Sequence, residues 1–141
     1  MAYLDTSVLT AYYCPEQLSD AVGRVLRDIS TPTISSLVEL ELCSAVALKV
    51  RTRELDRLSA SAVISRFHLD MADGLFEIVD IGPSEFHLAR EWLIRFSSPL
   101  RTLDALHLAA AFSNDLELIT SDKALKAAAS HFSVRCRLVL I

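Results

Sequence analysis

Four carboxylates carry the chemistry open to this chain: Asp5, Glu41, Asp104 and Asp122. Asp5 ends a short apolar stub, Ala2-Tyr3-Leu4, and Asp122 follows Leu118-Ile119-Thr120-Ser121. Asp104 lies within Leu100-Arg101-Thr102-Leu103-Asp104-Ala105-Leu106-His107-Leu108, where a helix begins, and Glu41 lies in an otherwise apolar helical stretch. An acid in such a place is costly unless something cationic meets it. If all four approach to about 4–6 Å, each like-charged pair repels by a few kcal/mol at an effective dielectric of roughly 20. Oxygen-only donors select a hard ion, Mg²⁺ or Mn²⁺, over zinc. Such an ion acidifies water and screens a phosphate. A divalent metal site is therefore the first expectation.

Each acid also has a plainer reading. An aspartate after a strand usually caps the helix that follows, and a first-turn acid such as Asp104 usually answers the helix dipole. A dipole of that sign would keep Asp104 ionised. The conjunction of the four, and the motifs around them, shifts the balance.

The elements that must position these residues alternate. Residues 2–4 read as a strand and 7–13 as a short helix ended near Pro15. Leu18, Val22, Val25, Leu26 and Ile29 recur at helical spacing within Gln17 to Ile29. Thr33-Ile34-Ser35 is a short strand, after which Ser36 is expected to cap a helix from Leu37 to Arg51. Glu54 to Met71 reads as a helix closed near Gly74, and 76–81 as a strand. Pro83 suits the first turn of a helix running to Phe96. Thr102, as cap, opens a helix to Phe112 near Asn114. Leu116–Thr120 is a strand, Asp122–Ala129 a helix and Val134–Ile141 a last strand. Such alternation predicts a mostly parallel sheet covered on both faces, with right-handed connections. Sites in open parallel sheets collect outside the carboxyl ends of the strands, so Asp5 and Asp122 should project from one edge. On the Glu41 helix, Glu41 has Leu37, Ser44, Ala45 and Leu48 as neighbours, while Glu39 faces Leu42, Cys43 and Val46. Both faces are apolar, so periodicity does not choose between the two glutamates.

At 141 residues and 52% hydrophobic content, the chain is expected to be a single domain with a real core, spanning 1–141. A net charge of −4 is not that of a polyanion binder, so a nucleic-acid substrate needs a local basic group or a metal to offset the acids. Three scattered cysteines with no Cys-x-x-Cys pair argue against structural zinc and disulfides and fit a reducing cytoplasm. The opening Met1-Ala2-Tyr3-Leu4-Asp5 lacks the basic start of a secretory signal, and no apolar run approaches the roughly 18–20 residues that span a bilayer.

Four blocks, in order, resemble the PIN-domain family of metal-dependent nucleases, and in particular its VapC-type toxins. They are Tyr3-Leu4-Asp5-Thr6-Ser7-Val8-Leu9, Ser35-Ser36-Leu37 with Glu41 and Ser44-Ala45, Leu100 to Ala111 around Asp104, and Ile119-Thr120-Ser121-Asp122-Lys123-Ala124-Leu125. The likeness covers nearly the whole chain, and the Asp104 block is its most specific part. It implies an α/β fold: a three-layer α/β/α sandwich around a mostly parallel sheet of four or five short strands. It also implies an endoribonuclease, the toxin of a VapBC-type toxin–antitoxin pair, hydrolysing RNA phosphodiesters with Mg²⁺- or Mn²⁺-activated water to leave 5′-phosphate and 3′-hydroxyl ends. The resemblance places the second acid at Glu41 rather than Glu39. It makes Asp5, Glu41 and Asp104 the core acids, with Asp122 completing the site directly or through water. Thr6 and Thr120 would position water or a carboxylate. A VapB-type antitoxin covering the acidic groove and a homodimer are implied as partners.

Weaker signals surround these. Arg101 is the better candidate for a basic group that touches substrate. The run Lys49 to Arg57 either holds phosphates or is a solvated joint with Glu54 and Asp56 as partners. Lys123 belongs to an exposed first turn. His107 shares the Asp104 face and reads as a satisfied core histidine. Trp92 and Phe96 pack the core or an apolar surface between two copies. The competing readings are a catalytically weak PIN-fold module that binds RNA or protein, and a phosphoryl-receiving signalling domain. The last wants an acidic pair near the first strand and a lysine ending the last, whereas Asp5 stands alone and Lys123 follows an acid.

Overall fold

The computed structural model describes residues 1–141. Five strands form one sheet: β1 (Ala2–Leu4), β2 (Pro32–Ser35), β3 (Glu77–Val79), β4 (Glu117–Thr120) and β5 (Cys136–Leu138). Their spatial order is β3-β2-β1-β4-β5, and every pairing is parallel. The three-residue stub that opens the chain is thus the central strand. Tyr3 stands beside Thr33 on one side and Leu118 on the other. Its residues are all buried, as a strand covered on both faces requires.

Seven helices cover the sheet: α1 (Thr6–Tyr13), α2 (Ser19–Arg27), α3 (Ser36–Arg51), α4 (Arg57–Ala72), α5 (Pro83–Leu93), α6 (Thr102–Ser113) and α7 (Lys123–His131). The chain steps from β1 to β2 to β3 in one direction, then back across to β4 and β5. Right-handed crossovers put α1 to α4 on one face and α5 to α7 on the other. Packing agrees: α1 meets α2, α3 and α4, while α5 meets α6. The reversal of strand order falls between β1 and β4, where an open α/β sheet leaves a crevice. The core is one cluster of 33 buried apolar residues with Leu4, Leu9, Phe67, Leu108, Leu118 and Ile119 among its members.

Several expected boundaries move for identifiable reasons. Arg101, not Thr102, is the N-cap of α6, so Thr102 stands at its first helical position. Ser35, not Ser36, caps α3, and its hydroxyl serves Tyr3 instead of the helix end. Asp56 accepts from Ser59 N at 2.7 Å and starts α4 later than Glu54. The last strand is only Cys136–Leu138, because β5 is an edge strand pairing with three residues of β4. Gly74 ends α4 with φ +76, the left-handed conformation that glycine adopts without penalty.

Trp92 is buried, stacked on Phe132 at 5.0 Å and edge-on to Phe112 at 5.7 Å, so it is core and offers no surface to a second copy. Phe96 is 90% exposed. The run after α3 is a joint: Lys49 pairs with Glu54 at 3.1 Å and Glu16 at 3.7 Å, and Asp56 caps. One buried acid lies apart from the four singled out above. Asp70 takes the Arg66 guanidinium at 2.8 Å and the Tyr13 hydroxyl at 2.7 Å. No helix is long and apolar enough to cross a membrane.

Candidate active site

Asp5 leaves the end of the central strand and starts α1. Its Oδ1 accepts from Val8 N at 3.1 Å, so the residue is also the helix cap that a plain reading expects. Two hydroxyls complete its surroundings: Ser7 Oγ donates to Oδ1 at 2.6 Å and Thr120 Oγ1 donates to Oδ2 at 2.5 Å. Thr120 ends the neighbouring strand β4, and its oxygen in turn accepts from Asp122 N at 3.0 Å. Ser121 N donates to Ser7 Oγ at 3.1 Å. The ends of β1 and β4 are thereby stitched together around one carboxylate that is 4% exposed. Burial pushes the Asp5 carboxyl above its ordinary range, against the opposing bonds from Ser7, Thr120 and Val8 and the nearby His107.

Asp122 caps α7, its Oδ1 accepting from Ala124 N at 2.8 Å and Leu125 N at 3.2 Å. Lys123 is exposed, as expected. Asp104, in the first turn of α6, is half-buried, and Arg101 Nε lies 3.6 Å from its Oδ2. The helix dipole does not hold Asp104 at its ordinary acidity. Burial raises its pKa and the charge of Asp122 raises it further, with Arg101 and His107 opposing. Arg101 is 79% exposed at its side chain and lines, with Asp104, Leu100, Ser97 and His131, an open cleft of about 380 Å³.

Glu41 lies in the second turn of α3 and points to the same end of the sheet. Its Oε1 accepts from Thr6 Oγ1 at 2.9 Å and is hydrogen-bonded to His107 Nε2. Burial raises its pKa, but the His107 and Thr6 bonds outweigh this, and the carboxyl sits below its ordinary range. Glu39 makes no ion pair or side-chain hydrogen bond. Thr6 and Thr120 therefore each hold a carboxylate. Sequence reasoning missed Tyr3 and Ser35, which stand behind His107, and the contact of His107 with Glu41. The apolar strand signal around Tyr3 concealed its hydroxyl, and a tyrosine in a central strand needing a polar partner is the clue that was available.

All four acids thus gather at the carboxyl edge of the sheet, but no three stand close enough together to ligate one ion as the side chains lie. The donor set nevertheless suits a hard divalent cation, being made of carboxylate oxygens alone. Glu41 Oε2, Asp104 Oδ1 and Asp122 Oδ2 have no protein hydrogen bond.

A PIN domain model matches residues 2–130. The chain belongs to the PIN domain family. No individual curated protein matches it in sequence. Among solved structures, this PIN domain is similar to FitAcB from Neisseria gonorrhoeae, at 20% identity and TM-score 0.75, over 96% of each chain. It is similar to Mycobacterium tuberculosis VapC20, described as a sarcin-ricin loop cleaving toxin, at 18% identity and TM-score 0.71, over 91% of this chain and 95% of that one. It also resembles VapBC2 from Rickettsia felis bound to a promoter DNA fragment, at 18% identity and TM-score 0.72, over 99% and 100%. At these identities the likeness is one of fold.

The raised acids give this PIN domain a characteristic pH response. Asp5 and Asp104 bind a proton more tightly folded than unfolded, so their contribution to stability is greatest below the ordinary value of 3.8 and is lost as pH rises through the raised values. Glu41 works oppositely: its contribution is fully present above its ordinary 4.5 and is lost as pH falls through its lowered value. In EDTA at neutral pH, Asp104→Asn should melt a few degrees above wild type, about 1 kcal/mol. The gap should close near pH 3.5. Loss of the exposed Arg101 contact subtracts little. A variant melting below wild type at pH 7 in EDTA shows that these acids do not repel one another as argued.

Proposed function

We propose that this PIN domain is a metal-dependent endoribonuclease, the VapC-type toxin of a toxin–antitoxin pair, acting in the cytoplasm. One observation carries the reading: four carboxylates from four elements lie along the carboxyl edge of a parallel sheet, with hydroxyls holding two of them. Asp5, Glu41, Asp104 and Asp122 would hold Mg²⁺ or Mn²⁺. When bound, the ion supplies positive charge to the scissile phosphate and acidifies water. Without that charge the acids repel RNA. Thr120 and Ser7 hold Asp5, and Thr6 holds Glu41, so two of the four acids have fixed orientations. Arg101 is the cation best placed to meet an RNA phosphate at the mouth of the cleft beside Asp104.

A VapB-type antitoxin and a second copy of the chain are the proposed partners. Similarity to solved toxin–antitoxin structures, a VapBC2 pair on promoter DNA among them, supports the antitoxin. One feature favours a second reading, a catalytically weak RNA- or protein-binding module: no three acids converge on one point. Purified protein incubated with a defined RNA and Mn²⁺ decides between them. Cleavage leaving 5′-phosphate ends, abolished by EDTA, supports the nuclease. RNA binding without cleavage at any Mn²⁺ concentration supports the module and overturns the nuclease.

A further inference from the structure

His107 sits in the middle of α6, 3% exposed, one turn from Asp104. Its ring is gripped at both nitrogens. Nδ1 shares a hydrogen bond with the Tyr3 hydroxyl at 2.8 Å, and Nε2 is bonded to Glu41 Oε1. Tyr3 is itself fully buried in the central strand, and its hydroxyl also meets Ser35 Oγ at 2.8 Å. Burial pushes the Tyr3 phenol far above its ordinary range, so it keeps its proton and always has one to share with its neighbours. Glu41 is ionised and only accepts, so Nε2 is the donor in that bond.

We infer that His107 is a positioning residue for Glu41: braced by Tyr3 and Ser35, its Nε2–H joins Thr6 in occupying Oε1 and leaves Oε2 as the one oxygen of Glu41 turned to the metal site. The arrangement resembles in logic the outer partners of metal ligands, which fix a ligand's orientation and set its affinity. Here the order is reversed from the usual one, with the histidine as support and the carboxylate as ligand. The fold makes this geometry rigid. Tyr3 comes from β1, Ser35 from β2, His107 from α6 and Glu41 from α3, so the chain of bonds runs between helices on opposite faces, passing the end of the sheet. A carboxylate on α3 alone would be free to rotate about its side-chain bonds. Held this way it is fixed relative to Asp104 one turn before His107.

The inference rests on the metal site of the proposed function, but its test does not require RNA. Three proteins are compared: wild type, His107→Leu and His107→Gln. Glutamine keeps both functions, since its amide nitrogen donates toward Glu41 and its carbonyl accepts from Tyr3. Mn²⁺ dissociation constants are read by electron paramagnetic resonance without substrate. His107→Leu should bind Mn²⁺ about tenfold to a hundredfold more weakly. His107→Gln should recover most of the loss. In cleavage assays the leucine variant should lose kcat with KM for RNA unchanged. Metal-free wild type should also show a slowly exchanging His107 Nε2 proton by NMR, absent in Glu41→Ala. Wild-type Mn²⁺ affinity in His107→Leu overturns the inference. So does a glutamine variant as weak as the leucine one, which would assign the effect to ring packing. If His107→Leu does not fold, the glutamine variant and the proton resonance decide, and absence of that resonance overturns the inference. Wild type that passes these readouts yet cuts no RNA overturns the proposed function and leaves the role of His107 standing.

Discussion

Asp5→Asn and Asp104→Asn should each abolish Mn²⁺-dependent RNA cleavage while leaving the fold intact. The fold survives at position 5 because asparagine caps helices as well as aspartate does. Its amide oxygen still accepts from Val8 N and Ser7, and its amide nitrogen can donate to the second lone pair of Thr120 Oγ1, which now accepts only from Asp122 N. At position 104 the side chain is half-buried and its one ion partner, Arg101, is largely exposed, so the variant gives up little. What both lose is a negative oxygen at the edge of the sheet. Removing an outer partner of a metal ligand costs up to about a hundredfold, and removing a ligand should cost at least that. Initial cleavage rates at saturating Mn²⁺, with circular-dichroism melts as the control for folding, check it. Wild-type cleavage by either folded variant removes the nuclease assignment.

The second expectation separates two neighbouring glutamates. Glu41→Gln should reduce cleavage by at least about tenfold, the low end for perturbing a metal ligand, and Glu39→Gln should leave it unchanged. In the Glu41 variant the amide oxygen can still take the Thr6 and His107 bonds. The atom that replaces Oε2 is then a nitrogen carrying two hydrogens, a donor where an anion stood. Glu39, two residues away on a helix, faces elsewhere and holds no partner, so its neutralisation changes little beyond surface charge. The two variants measured side by side give the answer. Equal losses, or the greater loss at Glu39, reject Glu41 as the acid that serves the site.

Some of this was legible before the structure. Asp5 and Asp122 follow strand-like runs, and parallel strands put their ends on one edge whatever the family. Asp104 was marked by the inward face it shares with Leu108 and Ala111, both fully buried. Glu41 was legible only through the resemblance, because both faces of α3 are apolar and nothing local tells one glutamate from its neighbour. The bonds among Tyr3, His107 and Glu41 were not legible. They join positions 66 and 104 residues apart, and no local pattern encodes such a meeting. The raised pKa of Asp104 was not legible for a related reason. The helix dipole is a local property and can be read from sequence, whereas burial and the charge of Asp122 depend on how α6 packs beside the end of β4. Cap positions slipped by one residue at α3 and α6 because Ser35 and Arg101, rather than Ser36 and Thr102, take the extended backbone angles of a cap.

The bond from Thr120 to Asp5 spans 115 residues. The strand that leads into Asp5 is made before the other four of its sheet and is the most central, yet both of its neighbours are made later, β4 last but one of the five. A growing polypeptide on the ribosome therefore carries its first acid for most of its synthesis without the hydroxyl that fixes it, or the histidine that fixes Glu41. Assembly of the site is deferred until β4 has emerged. A translation product ending before β4 would lack both Thr120 and Asp122, and under the proposed function it would be inert.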